Sequence, residues 1–188
     1  QSVVVSKRAG YAGRWSNIRL RVGRVYVPPG EANDAWNWFQ LGHVAAQDSG
    51  AALAVAVLRG NEALAYALMG DDVQATKLLG RSRDELARAD PNETPDWARF
   101  YNDTDMYAMI GTVHNELAAH DPRHAAVAIP ALGQAVARYD DTMGRSQALT
   151  LAMLATSYLR QGDVDHGIQV GRKALLAATA VKSKRVTD

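Results

Sequence analysis

The sequence predicts an all-α fold: a right-handed superhelix of helical hairpins with a short extended N-terminal segment. Three observations lead there. An apolar helical run, a Gly-Asp-like break and a second helical run recur three times, centred on Gly70-Asp71, His120-Asp121 and Gly162-Asp163. Compact or apolar residues hold fixed offsets around each break. Ala63, Val113 and Ala155 stand seven before, Ala75, Ala125 and Gly167 five after, and Ser82, Leu132 and Ala174 twelve after. Finally, alanine is abundant and β-branched runs are scarce beyond the N-terminus, which favours helix. Helix axes 8–10 Å apart need small residues at their crossing point, and a hairpin that cannot bury its apolar face alone must stack on neighbours.

Composition narrows the class. The 188 residues are enough for one domain-sized core, and 47% hydrophobic content excludes a disordered chain. Cysteine is absent, which excludes disulfides and thiolate zinc sites. No run has the 18 uninterrupted apolar residues of a membrane span, and Gln1-Ser2 does not open a basic-then-apolar signal layout. A cytoplasmic protein without membrane contact is the expectation. The net charge of +1 hides an asymmetry: residues 1–30 carry six basic groups and no acid, which leaves 15 basic and 20 acidic groups, a net of −5, over 31–188.

The elements follow in order. Ile18, Leu20 and Val22 alternate with Arg19 and Arg21, and Gly23 shifts the phase to Val25 and Val27. This pattern fits a strand with a bulge or an extended arm, ended by Pro28-Pro29-Gly30. Residues 1–32 are therefore read as a basic arm or short β-like segment, and 33–188 as the helical domain. Asn33 or Asp34 can cap a helix through Trp36, Phe39 and Val44 that stops near Ser49-Gly50. Ala51 to Met69 is apolar nearly all round, the mark of a central buried helix. Gly70 suits the left-handed residue after it and Asp71 the next cap. Residues 72–89 place Val73, Leu78, Leu79 and Leu86 on one side, with Lys77, Arg81, Arg83 and Arg88 towards water. Asp90 to Pro95 is a loop. A helix is expected from about Pro95 to Ala119, divisible at Asn102 to Asp105. Asp121-Pro122 starts another, which Pro130 should kink or split. Residues 145–161 and 164–180 form the last pair, before the basic end Lys182-Ser183-Lys184-Arg185.

These residues resemble tetratricopeptide repeats. The copy Leu151, Leu154-Ala155, Tyr158, Gly162, Gly167 and Ala174 is close to the family's order of large, Leu-Gly, Tyr, Gly, Ala and Ala. The copy around Tyr66, Gly70 and Ala75 is nearly as good. The middle copy departs, with Glu116 for the aromatic, His120 for the glycine and Pro130 in its second helix. Breaks 50 and 42 residues apart, against a family period of 34, make the repeats degenerate. The order of the Gly-Asp hairpin, Trp97-Ala98-Arg99-Phe100-Tyr101, Asp121-Pro122 and the Ala148 to Ala174 copy further resembles the C-terminal region of actinobacterial helix-turn-helix transcriptional regulators. That resemblance covers roughly residues 35–185. It implies a repeat domain with a DNA-reading domain before it. Residues 1–30 show no helix-turn-helix pattern.

Aligning the hairpins puts Tyr107 and His114 on a concave face, with Arg99, Tyr101 and Asn102 near its rim, suited to an extended peptide. The alternative makes Tyr101 and Tyr107 packing residues and Asn102 a cap. Arg14, Arg19, Arg21 and Arg24, interleaved with Tyr11, Trp15 and Tyr26, could contact nucleic-acid phosphates and bases, against the reading of a solvated arm. No metal site is expected. His120 and His124 are four apart, but Asp121-Pro122 breaks the helix between them, and Asp103 and Asp105 lack the glycine and glutamate of a calcium loop. No strained nucleophile or phosphate loop is present, and Asp71-Asp72 and Asp140-Asp141 sit where caps belong, so neither an enzyme nor a cofactor is expected. The expected function is a regulatory interaction domain that binds a peptide or protein and forms a homodimer. A structural dimerisation scaffold and nucleic-acid binding through the arm are the alternatives. DNA would be contacted through a preceding domain or that arm.

Overall fold

A computed structural model describes residues 2–27, 31–90 and 92–186, with the backbone alone for 2–11, 13, 26 and 182–186. Among the described residues the chain is helical and contains no strand. It divides into two compact units, residues 1–102 and 103–188.

The first unit holds α1 (Ser2–Tyr26), α2 (Ala32–Ser49), α3 (Ala52–Leu68) and α4 (Asp72–Ala87), followed by a 3₁₀ turn at Asp96–Ala98. Each helix packs on the next, and α1 also touches α3. As expected, α3 is the central rod, with Leu53 to Leu58 and Ala63, Ala65 and Ala67 buried. Its end is a Schellman turn. Gly70 has φ +79°, Asp71 N–H donates to Tyr66 O at 2.9 Å, and Gly70 N–H donates to Ala67 O at 3.0 Å. The Asp71 carboxylate then accepts from Gln74 N–H at 2.9 Å and caps α4. Ser82 Oγ reaches back to Ala56 O at 2.7 Å, so the predicted crossing residue is also a polar tie between α3 and α4.

The extended N-terminal segment is corrected. Residues 18–26 belong to α1, whose buried stripe is Ser16, Leu20 and Gly23. Ile18 and Val25 face solvent. Gly23 lies under the Phe39 ring, where a Cβ would stand 2.4 Å from Phe39 Cε1. Two of the three stripe residues are too small or polar to register as hydrophobic, so the exposed aliphatics set the apparent period. The expected stop at Pro28-Pro29-Gly30 lies outside the described residues.

The second unit holds α5 (Asp103–Leu117), α6 (Ala125–Val136), α7 (Gly144–Arg160) and α8 (Val164–Val186), with 3₁₀ turns at Pro122–His124 and Asp141–Met143. Here too each helix packs on the next, and α7 also contacts α5. Leu132 and Leu154 centre the core, with Ala128, Ile129, Met153, Tyr158 and Val170 around them. The α7–α8 turn repeats the α3–α4 turn bond for bond. Gly162 has φ +88°, and Asp163 N–H donates to Tyr158 O at 2.9 Å and Gly162 N–H to Leu159 O at 3.0 Å. The middle break differs, because His120 lacks the left-handed conformation and Asp121 N–H donates to Leu117 O instead.

Two boundaries differ from expectation. The segment from Pro95 is a single 3₁₀ turn, and α5 starts only at Asp103. Pro130 does not split α6, which runs through it. Pro130 is exposed, so the Ala126 carbonyl that loses its donor can turn to water. All nine residues at the fixed offsets are buried.

Candidate functional site

The residues expected to bind a peptide fall in both units. In the first, Arg99 is exposed and its Nη1 pairs with Asp96 at 3.1 Å. Tyr101 is only 4% exposed and meets the Phe100 ring edge-on at 6.2 Å, which matches the packing alternative. Asn102 donates to Phe100 O at 3.3 Å. In the second, Tyr107 is half-buried, with the Arg138 guanidinium 4.7 Å from its ring centre. His114 Nδ1 lies 3.0 Å from His124 Nδ1, so one ring donates and the other accepts. Burial and the neighbouring His124 hold His114 down to about 4. His114 and Tyr107 do share α5.

The basic N-terminal residues are mostly engaged. Arg19 Nη1 donates to Leu41 O at 2.8 Å and its guanidinium lies 5.7 Å from the Trp15 ring. Arg21 Nε donates to Asn17 at 3.2 Å, and Arg24 Nε to Asn61 Oδ1 at 3.0 Å. Arg14 is exposed. Three of the four cations thus anchor α1 to itself or to α2 and α3.

The structure adds a cleft in the first unit that the sequence reading missed. It encloses about 260 Å³ where α2, α3 and α4 meet. His43 and Gln47, one turn apart, come from α2, and Val55 and Arg59, also one turn apart, come from α3. Helix α4 and its C-cap supply Arg81, Asp84, Glu85 and Arg88, an i, i+3, i+4, i+7 series. That spacing was present in the sequence. Its charged face reads as a solvated surface until two other helices are laid against it.

Beneath the cleft the chain buries ionisable groups. Glu62 is fully buried; its Oε2 accepts from Arg59 Nη1 at 2.8 Å, and its Oε1 has no partner among the described residues. Burial raises the Glu62 carboxyl, and Arg59 and Arg81 oppose it. His43 is 4% exposed and neither ring nitrogen has a partner. Burial, then the charges of Arg59 and Arg81, lower it to about 4, so the ring is neutral near pH 7. Arg88 pairs with Glu85 at 2.6 Å. Arg81 makes no ion pair or side-chain hydrogen bond among the described residues.

Among the described residues, no three histidines, aspartates or glutamates are placed to hold a metal ion, and no helix is long and apolar enough to cross a membrane. No protein-family model, curated protein or solved structure matches the chain.

Proposed function

We propose that the chain is a non-enzymatic, tetratricopeptide-like interaction domain that binds a peptide or protein partner. In this reading it is the sensory or regulatory part of a cytoplasmic bacterial transcriptional regulator. Its hairpins form a right-handed superhelix, and partner binding alters superhelix curvature to shift an attached effector between states. The observation that carries the reading is the outer face of α8. Val164, Ile168 and Leu175 lie four and seven residues apart on one stripe, and are 54%, 50% and 70% exposed, with Leu176 beside them at 72%. An apolar stripe of this kind marks a protein-interaction surface more often than a solvated one. DNA contact is assigned to an attached domain, since Arg19, Arg21 and Arg24 are committed to intramolecular bonds.

The test is selection of a displayed peptide library on the chain, then calorimetry of the selected peptides on wild type and on an Ile168→Asp/Leu175→Asp variant. Saturable binding to wild type that the variant loses supports the reading. No enrichment over background, or equal binding to both, removes it.

The same stripe favours a second reading, a homodimerisation scaffold in which another copy covers α8. Light scattering separates the two: a dimer that the double variant turns monomeric supports the scaffold, and a monomeric wild type rejects it.

A further inference from the structure

We infer that the outer face of α1 docks an acidic amphipathic helix of a partner protein. This surface lies in the first unit and does not depend on the α8 reading.

The first argument is the geometry of the face. Trp15, Ile18 and Val25 are 54%, 48% and 68% exposed, and Val22 among them is partly exposed. Their spacing of three, four and three residues puts all four within about 80° of arc on a helix of 3.6 residues per turn. The stripe that packs against α2, formed by Ser16, Leu20 and Gly23, lies on the other side of the helix. In the sequence the same alternation runs back through Tyr11 and Arg8 to Val4. An apolar stripe of two residues in seven is the seam that one helix presents to another, and it is narrower than the face a helix lays on lipid.

The second argument is charge. On the helix Arg14 and Arg21 fall along one edge of the seam and Arg19 along the other. Arg19 Nη1 donates to Leu41 O and Arg21 Nε to Asn17 Oδ1, so both guanidiniums are held in place by neutral acceptors. None of the three arginines pairs with a carboxylate among the described residues. Residues 1–30 contain no acid, so the seam is bordered by positive charge alone. Charges beside such a seam choose its partner.

The third argument concerns the occupant. A parallel second copy would set Arg14 opposite Arg19 of that copy, and an antiparallel one would set each cationic edge against itself. Both arrangements are repulsive, which disfavours self-pairing. Ile18, Val22 and Val25 offer no polar group to a phosphate or a base edge, which disfavours nucleic acid. A helix with apolar residues along its own seam and Glu or Asp on both edges satisfies the stripe and the arginines together.

The experiment is calorimetric titration of the full chain with two synthetic peptides of about three heptads, at low and at high salt. Both peptides carry leucine and isoleucine at the seam positions. One has glutamate along both edges and the other lysine. The glutamate peptide should saturate, with the lysine peptide at least about tenfold weaker and the difference shrinking at high salt. Arg14→Glu/Arg21→Glu should weaken the glutamate peptide about tenfold and strengthen the lysine peptide, while circular dichroism stays unchanged. Ile18→Ser, an exposed substitution, should also weaken the glutamate peptide. Arg83→Glu reverses an exposed cation of α4 and should leave affinity within about twofold. No saturation, equal binding of the two peptides, or unchanged affinities in Arg14→Glu/Arg21→Glu would each overturn the proposal. So would tighter binding of a DNA duplex or of phosphatidylserine vesicles than of the glutamate peptide. A dimer in light scattering that Ile18→Ser dissociates would overturn it in favour of a second copy.

Discussion

Leu132 of α6 occupies the space that a side chain on Gly111 of α5 would need. A Cβ built at position 111 stands 2.4 Å from Leu132 Cγ and 3.1 Å from its backbone nitrogen. The second distance matters most, because a backbone atom cannot rotate aside. Gly111→Ala gains up to about 1 kcal/mol of helix propensity, but overpacking costs about 1–3 kcal/mol, so the variant should be less stable in urea unfolding. Gly80 and Gly133 sit inside α4 and α6 with open space around a built Cβ. Alanine there should stabilise by about 0.5–1 kcal/mol. A stable Gly111→Ala variant would mean the α5–α6 crossing is looser than described.

Stability should fall on mild acidification. His43 and His114 are each lowered from 6.5 to about 4, so the unfolded chain takes up protons first as pH drops. The stabilisation is complete above pH 6.5 and is lost between 6.5 and about 4. For His43 the full displacement corresponds to about 3 kcal/mol. Glu62 acts in the opposite sense, since its raised carboxyl takes up a proton earlier in the folded chain. His43→Gln should flatten the pH dependence of Tm. An imidazole NMR titration with a midpoint at 6 or above for His43 would contradict its burial.

The Asp71 cap should contribute about 1 kcal/mol through its bond to the Gln74 amide. Asp71→Ala should lower stability by that amount, and Asp71→Asn should retain most of it. Equal losses in denaturant midpoint for the two variants would point to charge rather than capping.

Hydrogen exchange distinguishes a docked α1 from a solvated arm. The amides of Ser16, Leu20 and Gly23, on the face against α2, should be protected well beyond random-coil rates. Gly23→Val should strip that protection, because its side chain would enter the space of the Phe39 ring. Unprotected amides in the wild type would restore the arm.

Turns proved more legible than surfaces. Gly70-Asp71 and Gly162-Asp163 could be placed from sequence because a left-handed glycine and a capping carboxylate act within five residues of one another. Helix α3 was legible because a rod apolar on every side has only one place to be. The strand reading of residues 18–27 failed for a corresponding reason: α1 is held through Ser16, Leu20 and Gly23, and packing by small residues leaves almost no hydrophobic period. Arg81 and Arg88, placed towards water, are indeed exposed; what the sequence did not show is that both line a cleft with His43.

By itself the sequence determined the breaks at Gly70-Asp71, His120-Asp121 and Gly162-Asp163 and the burial of the nine residues at fixed offsets from them, since backbone conformation, capping and side-chain volume are local properties. Only the tertiary structure decided that the N-terminal residues form a docked helix, and that His43, Arg59 and Arg81 share one cleft. Those groups come from three helices, and the field each feels depends on distances that no single stretch of chain can set.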